Sequence, residues 1–174
     1  MFGRDPLANP EVLIRRVYSY VAYRIGAGAD AEDVTNETFE RAIRARHTYD
    51  ASRGTPSAWL IGIARRCVAD AMAARLPVAA EAPEAVGPDL EEASIRRLTL
   101  SKAISVLDDR EQELIALRYG ADLTARRIGE ILGMRTNAVE VALHRALARL
   151  RDELGAARSP KAKGSDAEAV SADR

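Results

Sequence analysis

Apolar residues recur every three or four positions along most of this chain, which is the spacing of the buried face of a helix. Asn9 and Pro10 form a start signal for the first such segment, because Asn caps helices well and Pro is tolerated at the first helical position. Its apolar positions are Leu13, Ile14, Val17, Val21 and Ile25, and Gly26 and Gly28 end it. The pattern predicts an all-α fold.

A second helix is predicted from Asp30 to about Arg46, with acidic residues near its positive N-terminal end. Its buried positions are expected to be Val34, Phe39 (or Thr38), Ala42 and Ile43. The opposite side carries polar and charged residues: Glu32, Asp33, Asn36, Glu37, Glu40 and Arg41. A mixed charged face of this kind is often only solvated surface, so the residues alone leave its role open.

The stretch from His47 to Thr55 is a polar connection with one Gly and no apolar run. Thr55 and Pro56 repeat the cap-then-proline signal and start a third helix, which Pro77 ends at about Leu76. Its predicted buried side is Trp59, Leu60, Ile63, Cys67 and Ala71, and its small and basic side is Gly62, Arg65, Arg66 and Ala69.

From residue 77 onward the periodicity stops and Pro, Ala, Val, Gly and acids dominate, which indicates a linker. We therefore predict two small helical domains, at residues 1–76 and 92–155, joined by a flexible linker at 77–91. In the second domain Asp108 and Glu111 resemble a capping box, before the buried positions Leu114, Ile115 and Leu117. The Ala-, Ser- and charge-rich tail at 156–174 is expected to be disordered.

The second domain ends in a short helix, a glycine turn and a longer helix. Thr124 can cap the short helix, Gly133 supplies the turn and Thr136 offers a second cap. Val139, Leu143, Ala146 and Leu150 then form a narrow apolar stripe. This pattern is typical of a helix-turn-helix whose second helix enters the DNA major groove. An ordinary helical hairpin in a bundle is the alternative.

Composition excludes several classes of protein. Lys plus Arg equal Asp plus Glu at 26 each, so any binding of nucleic acid has to come from local patches. The single cysteine, Cys67, rules out an internal disulfide and fits a reducing compartment. No apolar run is as long as a membrane span, and the N-terminus lacks a signal-peptide core, so we expect a cytoplasmic protein.

An enzyme is not favoured by the residues either. Cys67 lies in a helix stripe, and His47 and His144 are both distant from it in sequence. No metal-spaced cluster, phosphate loop or nucleophile elbow is present in the sequence. We therefore expect no catalytic residues, no metal site and no cofactor.

Two segments of the chain carry family-like motifs. The first is DAEDVTNETFERAIRA followed by TYDASRGTPSAWLIGIARR, and the second is LDDREQELIALRYGADLTARRIGEILGMRTNAVEVALHRALARLRDEL. Together they resemble bacterial RNA polymerase sigma factors of the small extracytoplasmic-function type: the first is similar to the second conserved region of that family, and the second to the fourth region. The resemblance covers about residues 9–76 and 92–154, and the two regions follow in the family's order with a linker between them. It implies a transcription initiation factor that is not itself an enzyme.

The resemblance assigns the acidic helix to docking on the clamp helices of core RNA polymerase. The residues concerned are Glu32, Asp33, Asn36, Glu37, Phe39 and Arg41. It assigns the loop from Tyr49 to Thr55 and the helix after it to the melted minus-ten strand of promoter DNA. The candidates there are Arg46, Tyr49, Asp50, Ser52, Arg53, Trp59, Arg65 and Arg66. Arginines suit phosphate contacts and aromatic rings suit base stacking, although Trp59 is better placed for core packing and Tyr49 could equally anchor the loop.

The helix-turn-helix would by the same resemblance read the minus-thirty-five duplex, while other surfaces of its domain bind the polymerase flap. Its candidate DNA contacts are Arg126, Arg127, Arg135, Thr136, Asn137, Glu140, Val141, His144 and Arg145. The resemblance leaves open whether an anti-sigma factor is a further partner.

The chain departs from the family's pattern on the recognition helix, where Glu140, Val141 and Ala142 replace the usual Lys, Ser and Arg. Fewer basic side chains predict weaker and less salt-sensitive DNA binding by the isolated protein. Glu140 could accept a hydrogen bond from a cytosine amine, or it could pair with His144 or Arg135 and only tune the surface. A sigma-like module that binds polymerase or a regulator, with lost or altered promoter reading, is therefore the alternative function.

Overall fold

The computed structural model describes residues 5–74 and 103–158. The predicted linker and the part of the predicted tail beyond residue 158 lie outside these residues, whereas residues 156–158 belong to the last helix and not to a disordered tail. The described residues contain helices and no strands, and the all-α prediction is confirmed. The first domain has three helices, α1 (Pro10–Ile25), α2 (Ala29–Ala45) and α3 (Pro56–Ala74), with a 3₁₀ turn at Arg46–Thr48. They pack against one another pairwise around one core.

The helix boundaries follow the start and stop signals. α1 begins at Pro10 after Asn9, although the Asn9 side chain makes no capping hydrogen bond. Gly26 ends α1 with a positive φ of 89°, a conformation that favours glycine. α2 begins one residue before the predicted Asp30, with Gly28 in the capping position. The signals thus located each end to within a residue or two.

The buried faces of α2 and α3 differ in part from the prediction. In α2, Val34, Thr38 and Ala42 are buried, but Ile43 is 55% exposed and its predicted burial was wrong. In α3 the fully buried side chains are Leu60, Ile61, Ala64, Cys67 and Val68. Trp59, Ile63 and Ala71, which were predicted to be buried, are only half-buried. Both α1 and α2 pack on α3, so the residues that face these two helices are buried in place of part of the predicted stripe.

The second domain begins with helical residues 103–105, followed by α4 (Asp109–Ile115), a π-helical segment at Ala116–Gly120, α5 (Ala125–Leu132) and α6 (Thr136–Arg158). The capping box is confirmed: the Asp108 side chain accepts from the Glu111 amide, and the Glu111 side chain accepts from the Asp108 amide. Leu114, Ile115 and Leu117 are buried as predicted.

The helix-turn-helix is formed by α5, the turn at Gly133 and α6. Thr124 caps α5 by accepting from the Arg127 amide, and Gly133 ends it in the left-handed conformation, with φ 66°. Thr136 is already the first residue of α6 and not the residue before it, so its prediction as a cap was wrong. Val139, Leu143 and Ala146 are buried and Leu150 is half-buried. The narrow stripe thus leaves most of α6 exposed.

The two domains pack directly on each other. α1 lies against the π-helical segment, and the buried side chains of both domains form one continuous cluster. This contact was not predicted from the sequence.

Candidate nucleic-acid interface

The exposed face of α2 carries most of the residues predicted to dock on polymerase. Glu32, Asp33 and Asn36 are exposed, and Glu37 is half-exposed beside them. Phe39 is half-buried and packs against the core, so its side chain lies on the inner side of this face. The exposed Ile43 extends the face by one more turn. α2 thus presents an acidic surface with an apolar residue at its C-terminal end.

Arg41 links the acidic face to α3. Its guanidinium donates to Glu37 at 2.6 Å and to Asp70 at 2.9 Å. These two bonds, that to Asp70 first, raise the pKa of Arg41 above its ordinary value. Because Arg41 already has two acidic partners, its main role within this structure is to hold α2 on α3.

The loop at residues 49–55 is fixed by its own side chains. The Asp50 carboxylate accepts from both the amide and the hydroxyl of Ser52, at 2.9 and 2.7 Å. These bonds lower the pKa of Asp50, so the carboxylate stays ionised at neutral pH. Asp50 and Ser52 therefore shape the loop, which keeps the neighbouring Arg53 at its exposed tip.

The two aromatic residues of this site pack on each other. The rings of Tyr49 and Trp59 meet edge to face with centroids 5.7 Å apart, and the Tyr49 hydroxyl donates to the Gly54 carbonyl at 3.1 Å. Both are half-buried. In this structure Tyr49 therefore anchors the loop, and Trp59 packs against the core and against Tyr49.

The arginines of the minus-ten candidate set have different environments. Arg46, Arg53 and Arg66 lie on the loop or on the helices flanking it, and all three are exposed. Arg65 instead donates to Glu113 of the second domain at 2.7 Å. The structure thus leaves three of these arginines accessible at the surface and engages the fourth across the domain contact.

The recognition helix α6 presents its predicted DNA-contacting residues to solvent. Thr136, Asn137, Glu140, Val141, His144 and Arg145 are all exposed, as is Arg135 just before the helix. Among the described residues, the Glu140 carboxylate makes no ion pair or hydrogen bond with His144 or Arg135. Glu140 and His144 instead line a groove of about 420 Å³ with residues that the sequence had not singled out as DNA contacts: Arg118, Thr124, Ala125, Leu143 and Leu147.

The two arginines of α5 share one carboxylate. Glu130 accepts from Arg127 at 2.5 Å and from Arg126 at 3.2 Å, one helical turn away on the same face. The Arg127 bond, assisted by Arg126, lowers the pKa of Glu130. The i and i+3 or i+4 spacing of these residues could have indicated this cluster from the sequence.

Within residues 5–74 and 103–158 no group of His, Cys, Asp and Glu side chains has the arrangement of a metal site. No helix in the same residues is both long and apolar enough to cross a membrane.

Known proteins share this arrangement. The family model of sigma-70 region 2 matches residues 11–75, and that of sigma-70 region 4 matches residues 103–152. The ECF RNA polymerase sigma factor SigD of Mycobacterium tuberculosis is 36% identical over 157 residues, which are 81% of this chain and 73% of SigD. The chain belongs to the ECF sigma factors of the sigma-70 family.

The ECF RNA polymerase sigma factor BldN of Streptomyces coelicolor is 33% identical over 140 residues, covering 75% of this chain. The chain spans about half (53%) of the length of BldN. Among solved structures, CnrH in complex with the cytosolic domain of CnrY has a TM-score of 0.58 at 26% identity, over 84% of this chain and 82% of CnrH. RpoE of Bartonella quintana, in complex with the anti-sigma factor NepR, has a TM-score of 0.59 at 19% identity, over 83% and 93% of the two chains, and supports the fold alone.

Proposed function

We propose that this ECF sigma factor binds core RNA polymerase and directs it to promoters, reading the upstream element as duplex and the downstream element as a melted single strand. The observation that carries the proposal is the presence of both sigma-70 regions, in order, in one chain. A polymerase-docking face and two separate DNA surfaces are what such a factor needs.

In the first domain, the acidic face of α2 supplies the polymerase contact. Four of its residues, Glu32, Asp33, Asn36 and Glu37, are accessible together, and complementary charge on the clamp helices would steer and orient docking. The loop at 49–55 supplies the single-strand contact. Arg46, Arg53 and Arg66 are exposed on this loop and on the helices flanking it, and Tyr49 and Trp59 are half-buried in the same region, a combination of cations and rings that suits unpaired bases.

In the second domain, α6 supplies the major-groove contact. Its first three turns expose Asn137, Glu140, Val141 and His144 on the side opposite the buried Val139 and Leu143. Residues near the N-terminus of a recognition helix are those that reach base edges. The DNA phosphate contacts beside α6 are assigned to Arg126, Arg127 and Arg135.

Transcription in vitro tests the proposed function. Purified core polymerase with a library of promoter fragments should give specific transcripts only when this protein is added. A protein that binds core polymerase but yields no specific transcript would favour the alternative, a sigma-like module that binds polymerase or a regulator. One observation supports that alternative: Glu140 and Ala142 stand where the family usually has the basic residues Lys and Arg.

Base reading by Glu140 is a separate prediction. A carboxylate in the major groove can accept a hydrogen bond from the cytosine amine, Asn137 can pair with adenine, and Val141 can contact a thymine methyl. The exposed Glu140 carboxylate, which pairs with neither His144 nor Arg135, supports this role over surface tuning. We expect Glu140→Gln to change the preferred base at one position of the upstream element by ~1–3 kcal/mol of discrimination.

A promoter library selected in parallel with the wild type and Glu140→Gln measures this change. Glu153→Gln, an acid on the same helix beyond the DNA-contacting turns, is the matched control. An even loss of activity across all sequences, with no altered preference at any position, would refute base reading by Glu140.

The complexes in which two structural neighbours were solved suggest one more partner. RpoE was solved with an anti-sigma factor and CnrH with the cytosolic domain of CnrY. We include an anti-sigma factor among the proposed partners of this chain, to be sought by co-purification.

A further inference from the structure

A guanidinium at the edge of the contact between α2 and α3 binds one carboxylate on each of these helices. The Nη2 atom of Arg41 donates to Glu37 Oε1 at 2.6 Å, and its Nη1 atom donates to Asp70 Oδ2 at 2.9 Å. Glu37 lies on α2, one turn before Arg41, whereas Asp70 lies on α3. The three side chains thus connect the two helices, and they are called the Arg41 bridge below.

The packing of the two helices fixes where the Arg41 bridge lies. Ala42, next to Arg41 on α2, is fully buried, and so is Cys67, one turn before Asp70 on α3. The backbones of Arg41 and Asp70 are therefore held by the core, and only their side chains can move. A planar guanidinium with a partner on each helix has its orientation defined by two bonds in different directions.

Glu37 is the acidic member of the bridge that belongs to the proposed docking set. Its side chain is 44% exposed on the acidic face of α2. Arg41 holds Oε1 of its carboxylate, and among the residues that the structure describes no hydrogen bond engages Oε2. One oxygen of Glu37 is therefore fixed, and the other is open to a cation on a partner.

Holding Glu37 in place before binding favours docking. An interface that immobilises a flexible side chain loses affinity to its lost rotamer freedom, and the loss is smaller when the side chain is already ordered. An exposed i, i+4 pair alone contributes little, whereas charges joined in a network hold one another better. Asp70 makes the Glu37–Arg41 pair part of such a network. Both terminal nitrogens of Arg41 are engaged within the chain, so this residue is placed to act through Glu37.

We propose that Arg41 and Asp70 are positioning residues for polymerase docking: Asp70 orients the Arg41 guanidinium, which holds the Glu37 carboxylate where the clamp helices contact it. This inference rests on the proposed function. It changes the role of Arg41, which the family resemblance assigns to the contact itself. It also adds Asp70, which the sequence did not single out.

The test is a double-mutant cycle on binding of the full chain to core polymerase. Asp70→Asn should weaken binding by about three- to tenfold, the range for leaving one flexible side chain unordered before association. In a Glu37→Gln background the same change should alter affinity by less than about twofold, because no carboxylate is left to position. Asp5→Asn is the matched control: Asp5 is an exposed aspartate before α1, and its replacement should leave binding unchanged in both backgrounds.

Arg41→Lys separates positioning from charge. Lysine keeps the positive charge, but its ammonium is a compact point charge without the guanidinium fork. The dissociation rate should therefore rise about as much as in Asp70→Asn, while the association rate, which follows the charge of the surface, stays unchanged. In the free protein, the Nη protons of a guanidinium held by two carboxylates should give separate NMR signals, and these should merge in Asp70→Asn.

Three outcomes would overturn the proposal. The first is an Asp70→Asn variant that binds polymerase like wild type. The second is an equal loss in the wild-type and Glu37→Gln backgrounds, which would make Asp70 a direct contact or a general support of the fold. The third is a wild type that does not bind core polymerase, which would overturn the proposed function as well. The first two outcomes, in a wild type that binds, reject the role of the Arg41 bridge alone.

Discussion

Replacing Leu60 by alanine is expected to lower the free energy of unfolding by about 2–5 kcal/mol, the range for emptying a well-packed leucine site. Leu60 is 0% exposed on α3, which packs against both α1 and α2. Neighbours on three helices cannot all relax into the space, so a cavity remains. Urea unfolding followed by the fluorescence of Trp59, the single tryptophan, reports on this domain.

Ile43→Ala is the control for that experiment. The sequence predicts Ile43 to be buried, but the structure leaves it 55% exposed, so its truncation should cost about 0.5 kcal/mol or less. Similar losses for the two variants would contradict the packing of α2 and α3 described above.

Reversing the charge of Asp33 and Glu37 together is expected to weaken binding to core polymerase by roughly a hundredfold or more, since like charges placed across an interface cost several kcal/mol. The fold should be retained. Asp33 is exposed, and although Glu37 pairs with Arg41, Asp70 continues to hold that guanidinium. An exposed pair one turn apart contributes only about 0.3–0.5 kcal/mol.

Binding of Asp33→Lys/Glu37→Lys to immobilised core polymerase should be compared with that of Glu11→Lys/Glu40→Lys. The control changes the net charge by the same amount, with Glu11 on α1 away from the docking face and Glu40 on the acidic face of α2 but outside the assigned docking residues. If both double variants bind equally well, or lose affinity equally, the residues assigned to docking are not the specific contact. A loss confined to the first variant, with unchanged circular dichroism, supports the assignment.

The sequence predicted the helices well because their ends carry strong local signals. Pro10, Pro56, Thr124, Gly133 and the Asp108–Glu111 capping box each act through one or two neighbouring backbone groups, so no knowledge of the rest of the fold is needed. The helix-turn-helix followed from the same kind of signal. Its exposed α6 surface could be predicted because the apolar stripe is narrow.

The buried face of a helix was harder to predict where two other helices pack against it. α3 has apolar residues at 58–61, 63–64 and 67–69, and the sequence does not determine which of them faces α1 and which faces α2. Ile43 was placed in the core by its spacing, yet it follows the buried Ala42 on the side of α2 that faces solvent. Such outcomes depend on helix packing and not on periodicity.

The contact between domains escaped prediction for a different reason. It joins residues far apart in sequence, and each of them has an ordinary local explanation. Tyr20 and Glu113 are parts of amphipathic helices, and Gly120 is at a helix end. One pattern in the sequence hints at a close approach between two helices. Two small residues, Ala116 and Gly120, stand four positions apart next to an apolar run.

The separation of these partners has a consequence for synthesis of the protein. Tyr20 and Glu113 are 93 residues apart, so at the ordinary ribosomal rate of about 5–20 residues per second the interval between them is roughly 5–20 s. During that time the face of α1 that later contacts the second domain, centred on Tyr20, is without its final cover. Nascent chains of this protein therefore pass through a period in which this face of α1 is open to chaperones, to aggregation or to early capture by another protein.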